Sequence, residues 1–233
     1  MNTFKKLALA LLLAVPMALS ADGMGVYIPI SADDRGSVTL DYDSDLIPNR
    51  DVDIDYKAAA GLGMAFDSNI GQDKLFNYRL GLEVLKQKFE KVDGSSCTGD
   101  CDFGTRINMV HTFGFGLLRT QTVRLWIGPR INMAYEWDTG DNGYSRFGFE
   151  FGVAPAVGVN VNLGRVVSLA ADLDYRFAST AGAWDSDLPF DGGSYSGKKR
   201  GTTARFYVLF RFGEHFDQSA DVSQEQSVID QSL

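Results

Sequence analysis

Proline and cysteine are both scarce in this chain, with 6 and 2 among 233 residues. So little proline excludes a proline-rich linker protein, and two cysteines cannot scaffold a disulfide-held miniprotein. Excess positive charge is also missing. Against 30 Asp and Glu stand 22 Lys and Arg, for a net charge of −8. That balance excludes the broad basic footprint of a nucleic-acid-binding protein. Long apolar runs are absent beyond one of nine residues, Leu7 to Val15, well short of the roughly 20 that a spanning helix needs. What the chain does hold is glycine, 25 residues, and aromatics at 12%, with 16 phenylalanines. A glycine- and phenylalanine-rich composition points to many strands joined by tight turns.

The single apolar run reads as an address. Lys5 and Lys6 precede it, Pro16 ends it, and Ala18-Leu19-Ser20 supplies small residues at cleavage spacing. Residues 1–20 are expected to be a secretory signal peptide, 21–213 one exported β-domain, and 214–233 an acidic periplasmic tail.

From residue 103 the chain alternates. Val123, Leu125, Ile127, Ile131, Met133, Tyr135 and Trp137 share one phase, with Arg124, Gly128, Arg130, Asn132 and Glu136 on the other. Residues 145–161, 166–178 and 201–213 repeat the pattern. Period two means strands with one apolar and one polar face. The segments are far longer than the usual five or six residues of a soluble strand. Small residues crowd the polar phase, and aromatics gather near the strand ends, at Phe76, Tyr78, Phe113, Phe115, Phe147 and Phe177 among others. These features favour apolar residues facing lipid and polar residues facing a narrow interior. The segment 75–91 agrees. Its outward phase runs Phe76, Tyr78, Leu80, Leu82, Val84, then turns charged at Lys86, Lys88 and Glu90.

The fold expected is all-β: an eight-stranded antiparallel up-and-down transmembrane barrel. Its strands are read at 23–31, 56–67, 75–91, 103–117, 123–137, 145–161, 166–178 and 201–213, with 36–42 competing for the first place. The connections at 68–74, 118–122 and 162–165 are short, whereas 32–55, 92–102, 138–144 and 179–200 are longer. Short periplasmic turns and long outer loops follow the barrel rule, and both mature termini then lie in the periplasm.

On the polar phase the cations are Lys57, Arg79, Arg106, Arg124, Arg130, Arg146, Arg176, Arg205 and Arg211, and the acids are Glu83, Glu136, Glu150, Asp172 and Asp174. An eight-stranded barrel is just wide enough for side chains to fill. Unpaired charges there are very unfavourable, so a salt-bridge network plugging the lumen is expected. The competing reading is a narrow, arginine-lined, porin-like pathway for small solutes.

The signal peptide, the alternating strands and the closing run Arg205-Phe206-Tyr207-Val208-Leu209-Phe210-Arg211-Phe212 together resemble the small Gram-negative outer-membrane barrels, the OmpA transmembrane domain, OmpX and OmpW. The resemblance implies outer-membrane lipid and lipopolysaccharide as surroundings. It also implies that barrel-assembly machinery reads the closing aromatics Phe206, Phe210 and Phe212. It further implies a role in envelope integrity or surface recognition, with the loops 32–55 and 179–200 as the surface for an extracellular partner. In such families the final aromatic is usually the last residue, whereas here 20 residues follow Gly213.

Other residues carry weaker signals. Cys97 and Cys101 form one pair in an oxidising compartment, and a loop disulfide is expected. Alternating Asp41, Asp43, Asp45 and Asp51, Asp53, Asp55 suit calcium by ligand type but lack EF-hand spacing, so a solvated acidic loop is the simpler reading. His111 falls on the lipid-facing phase, where a histidine is unfavourable unless a bulge or a protein contact takes it up. No serine elbow, phosphate loop or dinucleotide fingerprint is present. No enzyme activity and no cofactor or metal site are therefore expected, a lipid-modifying barrel enzyme being the third hypothesis. A soluble exported β-protein remains as an alternative fold.

Overall fold

The computed structural model describes residues 22–43, 47–68, 75–97, 102–120, 122–139, 145–164, 166–185 and 192–212. The expected signal peptide and acidic tail lie outside them. The strands are β1 (Gly23–Tyr42), β2 (Arg50–Tyr56), β3 (Ala59–Asp67), β4 (Phe76–Val92), β5 (Ser95–Ser96), β6 (Asp102–Arg119), β7 (Val123–Thr139), β8 (Ser145–Leu163), β9 (Val167–Asp185) and β10 (Gly193–Arg211). Each pairs antiparallel with its neighbours, and β10 closes onto β1 from Gly23↔Arg211 to Tyr42↔Gly193. β2 and β3 both lie between β1 and β4, as one barrel strand interrupted at residues 57–58. β5 is a short addition to the tip of β4. The ring therefore has eight strands, and closure leaves its backbone without an edge.

One end of the barrel carries Gly23, Arg211 and the short turns; it is called the lower end, and the other the upper. In the lower half, outward positions are apolar and exposed: Met24, Val26, Ile28 and Ile30 on β1, Val153 and Val157 on β8, Phe206, Val208 and Phe210 on β10. Inward positions are buried and carry most of the charges and glycines, with an apolar cluster at the lowest level. This is the reverse of a soluble sheet and matches a hydrocarbon surround.

The strands run farther than the sequence pattern indicates. β8, β9 and β10 have 19 residues each and β1 has 20. Nineteen residues span about 60 Å along a strand. Tilted by about 40°, that is a rise of roughly 45 Å, well beyond an apolar band about 25 Å tall. The expected loop 32–55 is thus mostly strand, as is 179–200, and the competing segments 23–31 and 36–42 are one strand. The reason is an inversion of polarity. Above the apolar belt Val38, Val52, Ile54, Tyr56 and Tyr195 face inward and are buried, while Ser37, Thr39, Asp51, Asp53 and Asp55 face out or are part-exposed. A strand that leaves lipid for water exchanges its apolar and polar faces. A pattern search holding one phase then ends the strand at the lipid boundary.

The exchange is built into the backbone. Between Ala32 and Arg35 the β1–β10 register shifts by a bulge, with Asp33 at φ 54°. The interruption at 57–58 lies beside it, since Ser31 pairs Ala59 and Arg35 pairs Asp55. An extra residue moves every later side chain to the other face. The bulge turns Asp34 into the lumen, where its carboxylate sits over Gly201. A β-carbon on Gly201 would lie 1.6 Å from Asp34 Oδ1, so no larger residue fits there unless Asp34 moves.

Candidate functional site

The lumen has four tiers. At the lower end Tyr27, Ala65, Ala170, Tyr207 and Leu209 form an apolar cluster. Trp126 is also fully buried in this end. It packs over Gly158, where an added β-carbon would meet the indole at 2.4 Å.

Above this floor lies the first charged cluster. Arg130, on β7, donates to both oxygens of Asp172 (2.9 and 2.8 Å), to Asp174 (2.5 Å) and to Thr112 (2.8 Å). Arg205, on β10, donates to Glu83 on β4 at 3.0 Å and to Asp174. Arg79 donates through Nε to Asp67 at 2.8 Å, and its guanidinium lies 4.5 Å over the Tyr207 ring. The Tyr207 hydroxyl donates to Asp172 at 2.7 Å. Arg124 lies lower, with Nη2 at 3.3 Å from Asn77 Oδ1.

The second cluster sits higher. Arg106 on β6 donates to Glu150 on β8 at 2.6 Å, and Glu136 lies 3.6 Å away. Arg176 on β9 reaches Glu150 at 3.2 Å and both oxygens of Asp34 at 3.1 Å. Lys199 stands 3.5 Å from both Glu136 and Glu150 and donates to Gln87 at 3.0 Å. Gln87 in turn donates to Asp34 at 3.2 Å, and Ser31 to the same oxygen at 2.8 Å. Most of these links join strands that do not pair in the ring, and Arg79 reaches across its full width to Asp172 at 3.6 Å. Isolated buried charges are very costly, and pairing each guanidinium with carboxylates offsets that cost.

The structure places most of the expected lumen charges in these clusters and corrects two. Lys57 is exposed, because it falls in the interruption between β2 and β3 where the inward phase breaks. Arg211 sits at the lower rim, part-exposed, and donates to the Gly164 carbonyl. Arg146 is buried at the top of the lumen, its guanidinium 5.7 Å over the Phe89 ring. Sequence reading missed Asp34, Asp67, Gln87 and Lys199. Asp34 and Lys199 lay in expected loops, and only the bulge gives Asp34 an inward direction.

Above the second cluster the lumen opens into a cup of about 290 Å3. Val38, Val52, Ile54, Tyr56 and Tyr195 form its packed wall. Trp184 and Phe89 extend the wall, and among the described residues Arg146 is the one charged side chain that lines it. Burial pushes the Tyr56 phenol well above its ordinary pKa, so it is neutral. The Lys199 ammonium lies 4.1 Å over the Tyr56 ring, tying the cup to the charged tier below.

The remaining expected sites take simpler positions. Asp51, Asp53 and Asp55 line the outer face of β2. Thr39 donates to Asp51 at 2.7 Å, and Asp55 lies 3.9 Å from Arg35. Among the described residues no group of three or more metal-ligating side chains converges. Cys97 donates its backbone N–H to the Glu90 carbonyl at 2.9 Å, and Cys101 lies outside the described residues, so the expected pairing does too. His111 stays on the outward face, where its Nδ1 is 2.7 Å from the Tyr78 hydroxyl. The closing aromatics Phe206, Phe210 and Phe212 are exposed on the outward face.

A scan against protein-family models finds no match, and neither does a search of curated proteins. Solved structures do match. OprG from Pseudomonas aeruginosa superposes at a TM-score of 0.50 with 14% identity, covering 83% of this chain and 98% of that one. Neisserial surface protein A matches at a TM-score of 0.34 with 13% identity, over 80% of this chain and 97% of that one. The outer membrane protease OmpT from Escherichia coli matches at 0.39 with 6% identity, over 82% and 97%. The last finding corrects the expectation that the chain is not an enzyme. A protease stands among the similar structures, and the lack of soluble-enzyme motifs is an absence that excludes no activity. At that TM-score and identity the likeness assigns no activity to this chain. What the OprG match and the closed, lipid-faced ring establish together is the fold: this chain is an eight-stranded barrel of the outer-membrane type.

Proposed function

We propose that this protein is an outer-membrane barrel that is closed to axial solute flow and recognises small apolar molecules in a cup on the cell surface. In this reading residues 1–20 are a signal peptide, the lower end and both mature termini face the periplasm, and the upper strand extensions stand outside the cell. One observation carries it: an apolar cup lies above two clusters of buried ion pairs inside the lumen. A pore for ions and polar solutes needs a wet, continuous path. Here the charges are turned on one another. Apolar walls with one cation suit a ligand with an apolar body, and Arg146 suits an anionic head group. The Cys97–Cys101 disulfide, in the same reading, pins the tip of the hairpin between β4 and β6.

Two measurements test the proposal. In planar bilayers the refolded chain is expected to stay electrically silent, with folding verified by gel mobility before and after boiling. Discrete openings whose selectivity shifts in Arg130→Gln would replace the plug with a pore. For the cup, quenching of Trp184 by a brominated fatty acid is expected to saturate and to vanish in Val52→Arg, with Trp184→Phe as the blank. Non-saturating quenching removes the ligand reading. Orientation is read separately, by antibody access on intact cells to an epitope inserted at 186–191.

A further inference from the structure

The bulge that turns Asp34 inward has a second effect, on the outer surface. It resets the phase of β1 so that Arg35 points outward, directly opposite Arg200 of β10. The next outward pair up the barrel is Ser37 opposite Lys198. Three cations, Arg35, Arg200 and Lys198, therefore share one exposed patch, lining a groove of about 620 Å3. Like charges directly opposite on a sheet are destabilising, and a site that keeps them is suited to an anion between them. The acids at the groove lie on one side only. Asp53 and Asp55 come from β2, and Asp55 approaches Arg35 no closer than 3.9 Å. On the other side Arg200 pairs Phe177 of β9 and Lys198 pairs Ser179. From Tyr175 to Ala183 the outward phase of β9 carries no acid.

The height of the patch is as informative as its charge. Below it on the same face are exposed Tyr175, opposite Thr202, and Ile30, opposite Ala204, with Phe206 one outward position lower, all part of the apolar belt. Arg200 stands level with Phe177, at the height where the aromatic rim meets polar headgroups. Acyl chains would lie along the apolar wall and an anionic headgroup would meet the guanidiniums. Paired guanidiniums offer flat donor forks that match phosphate oxygens.

We propose that Arg35, Lys198 and Arg200 form a binding site for a phosphate group on the headgroup of a membrane glycolipid. The orientation proposed above matters only for which leaflet supplies the lipid. Binding in detergent micelles tests the site whichever way the barrel points.

The experiment uses the full chain refolded in zwitterionic micelles, with bound lipid counted by native mass spectrometry. The probes are a diphosphorylated lipid A-type glycolipid, the same glycolipid stripped of phosphate, and inorganic phosphate as competitor. Retention of the phosphorylated form is expected, with weaker retention of the stripped form. Replacing both arginines (Arg35→Gln with Arg200→Gln) is expected to weaken retention by about 10- to 100-fold. Each single replacement is expected to give a partial loss, and Arg200→Lys to retain more than Arg200→Gln. Lys86→Gln removes a charge at similar height on β4 and is expected to leave retention unchanged. Heat-dependent gel mobility verifies that each variant is folded. Equal retention of the stripped glycolipid overturns the proposal, as does a double variant that binds like the parent. A loss in Lys86→Gln equal to that of the double variant reduces the effect to bulk charge and also overturns it. Displacement by millimolar inorganic phosphate assigns the site to free anions instead of lipid.

Discussion

Arg130 is the residue on which the lower charged cluster turns. It bonds Asp172 through both terminal nitrogens and also holds Asp174 and Thr112. Replacing it with alanine leaves two buried carboxylates short of their main partner. Breaking a buried pair in this way typically costs about 3–5 kcal/mol, more than the pair itself contributes over an apolar core. The expected outcome for Arg130→Ala is a lower urea midpoint of unfolding by that equivalent, followed by gel mobility. A second residue-scale prediction concerns Gly201. The Asp34 carboxylate occupies the space above its α-carbon, so Gly201→Val is expected to destabilise by about 1–3 kcal/mol, as overpacking does. An unchanged midpoint would mean that Asp34 leaves the lumen without cost.

The informative elements are those that cross from lipid into water. On β1 and the β2/β3 strand, inward residues are mostly small below the bulge, with Ser31 and Asp67 polar, and large and apolar above it. The bulge at Asp33–Asp34 allows both halves to face correctly in one continuous strand. Inserting one glycine after Asp33 adds a second extra residue that a one-residue bulge does not take up, and is expected to flip Arg35 into the lumen and turn Val38 toward solvent. Thermal stability should then fall, and lipid retention by the phosphate site should fall with it. Heat-shift gels and native mass spectrometry on the same preparation read both. If the insertion variant kept its lipid and its stability, the bulge would not be what sets the two faces. The aspartates at 51, 53 and 55 belong here as well. Their alternation is the solvent face of a strand, with Val52, Ile54 and Tyr56 as its buried face.

For the whole molecule the lumen decides between recognition and transport. Strands that are not neighbours in the ring are tied by Arg205 to Glu83, Arg106 to Glu150 and Arg176 to Asp34. Opening an axial path requires several of these to break together. Neutralising Glu83 and Glu150 together by glutamine is therefore expected to lower stability without producing conductance, measured in the same planar bilayers. Stable, conducting variants would show that the clusters gate a pore.

Much of this architecture is legible in the residues themselves. Strict alternation in 123–137 and 145–161 marks strands with a polar inner face, because a lipid surround and a narrow lumen demand opposite chemistry at alternate positions. The charges at 79, 83, 106, 130, 150, 172, 174, 176 and 205 follow from the same period. The sequence did not reveal where the phase changes. Asp34, Lys57 and the upper part of β1 were misread for that reason, and Lys199 because the closing strand was read as starting at 201. A backbone bulge and an interruption carry no polarity signal of their own. Only ring closure, which brings β1 beside β10 and β4 within reach of both, decides that Asp34 faces Arg176, that Arg35 stands beside Arg200, and that apolar side chains from β1, β2, β4, β9 and β10 enclose a single cup. Periodicity along a strand is a local property, set by the solvent on each face. Contacts across a closed barrel join residues more than a hundred positions apart, and register alone brings them together.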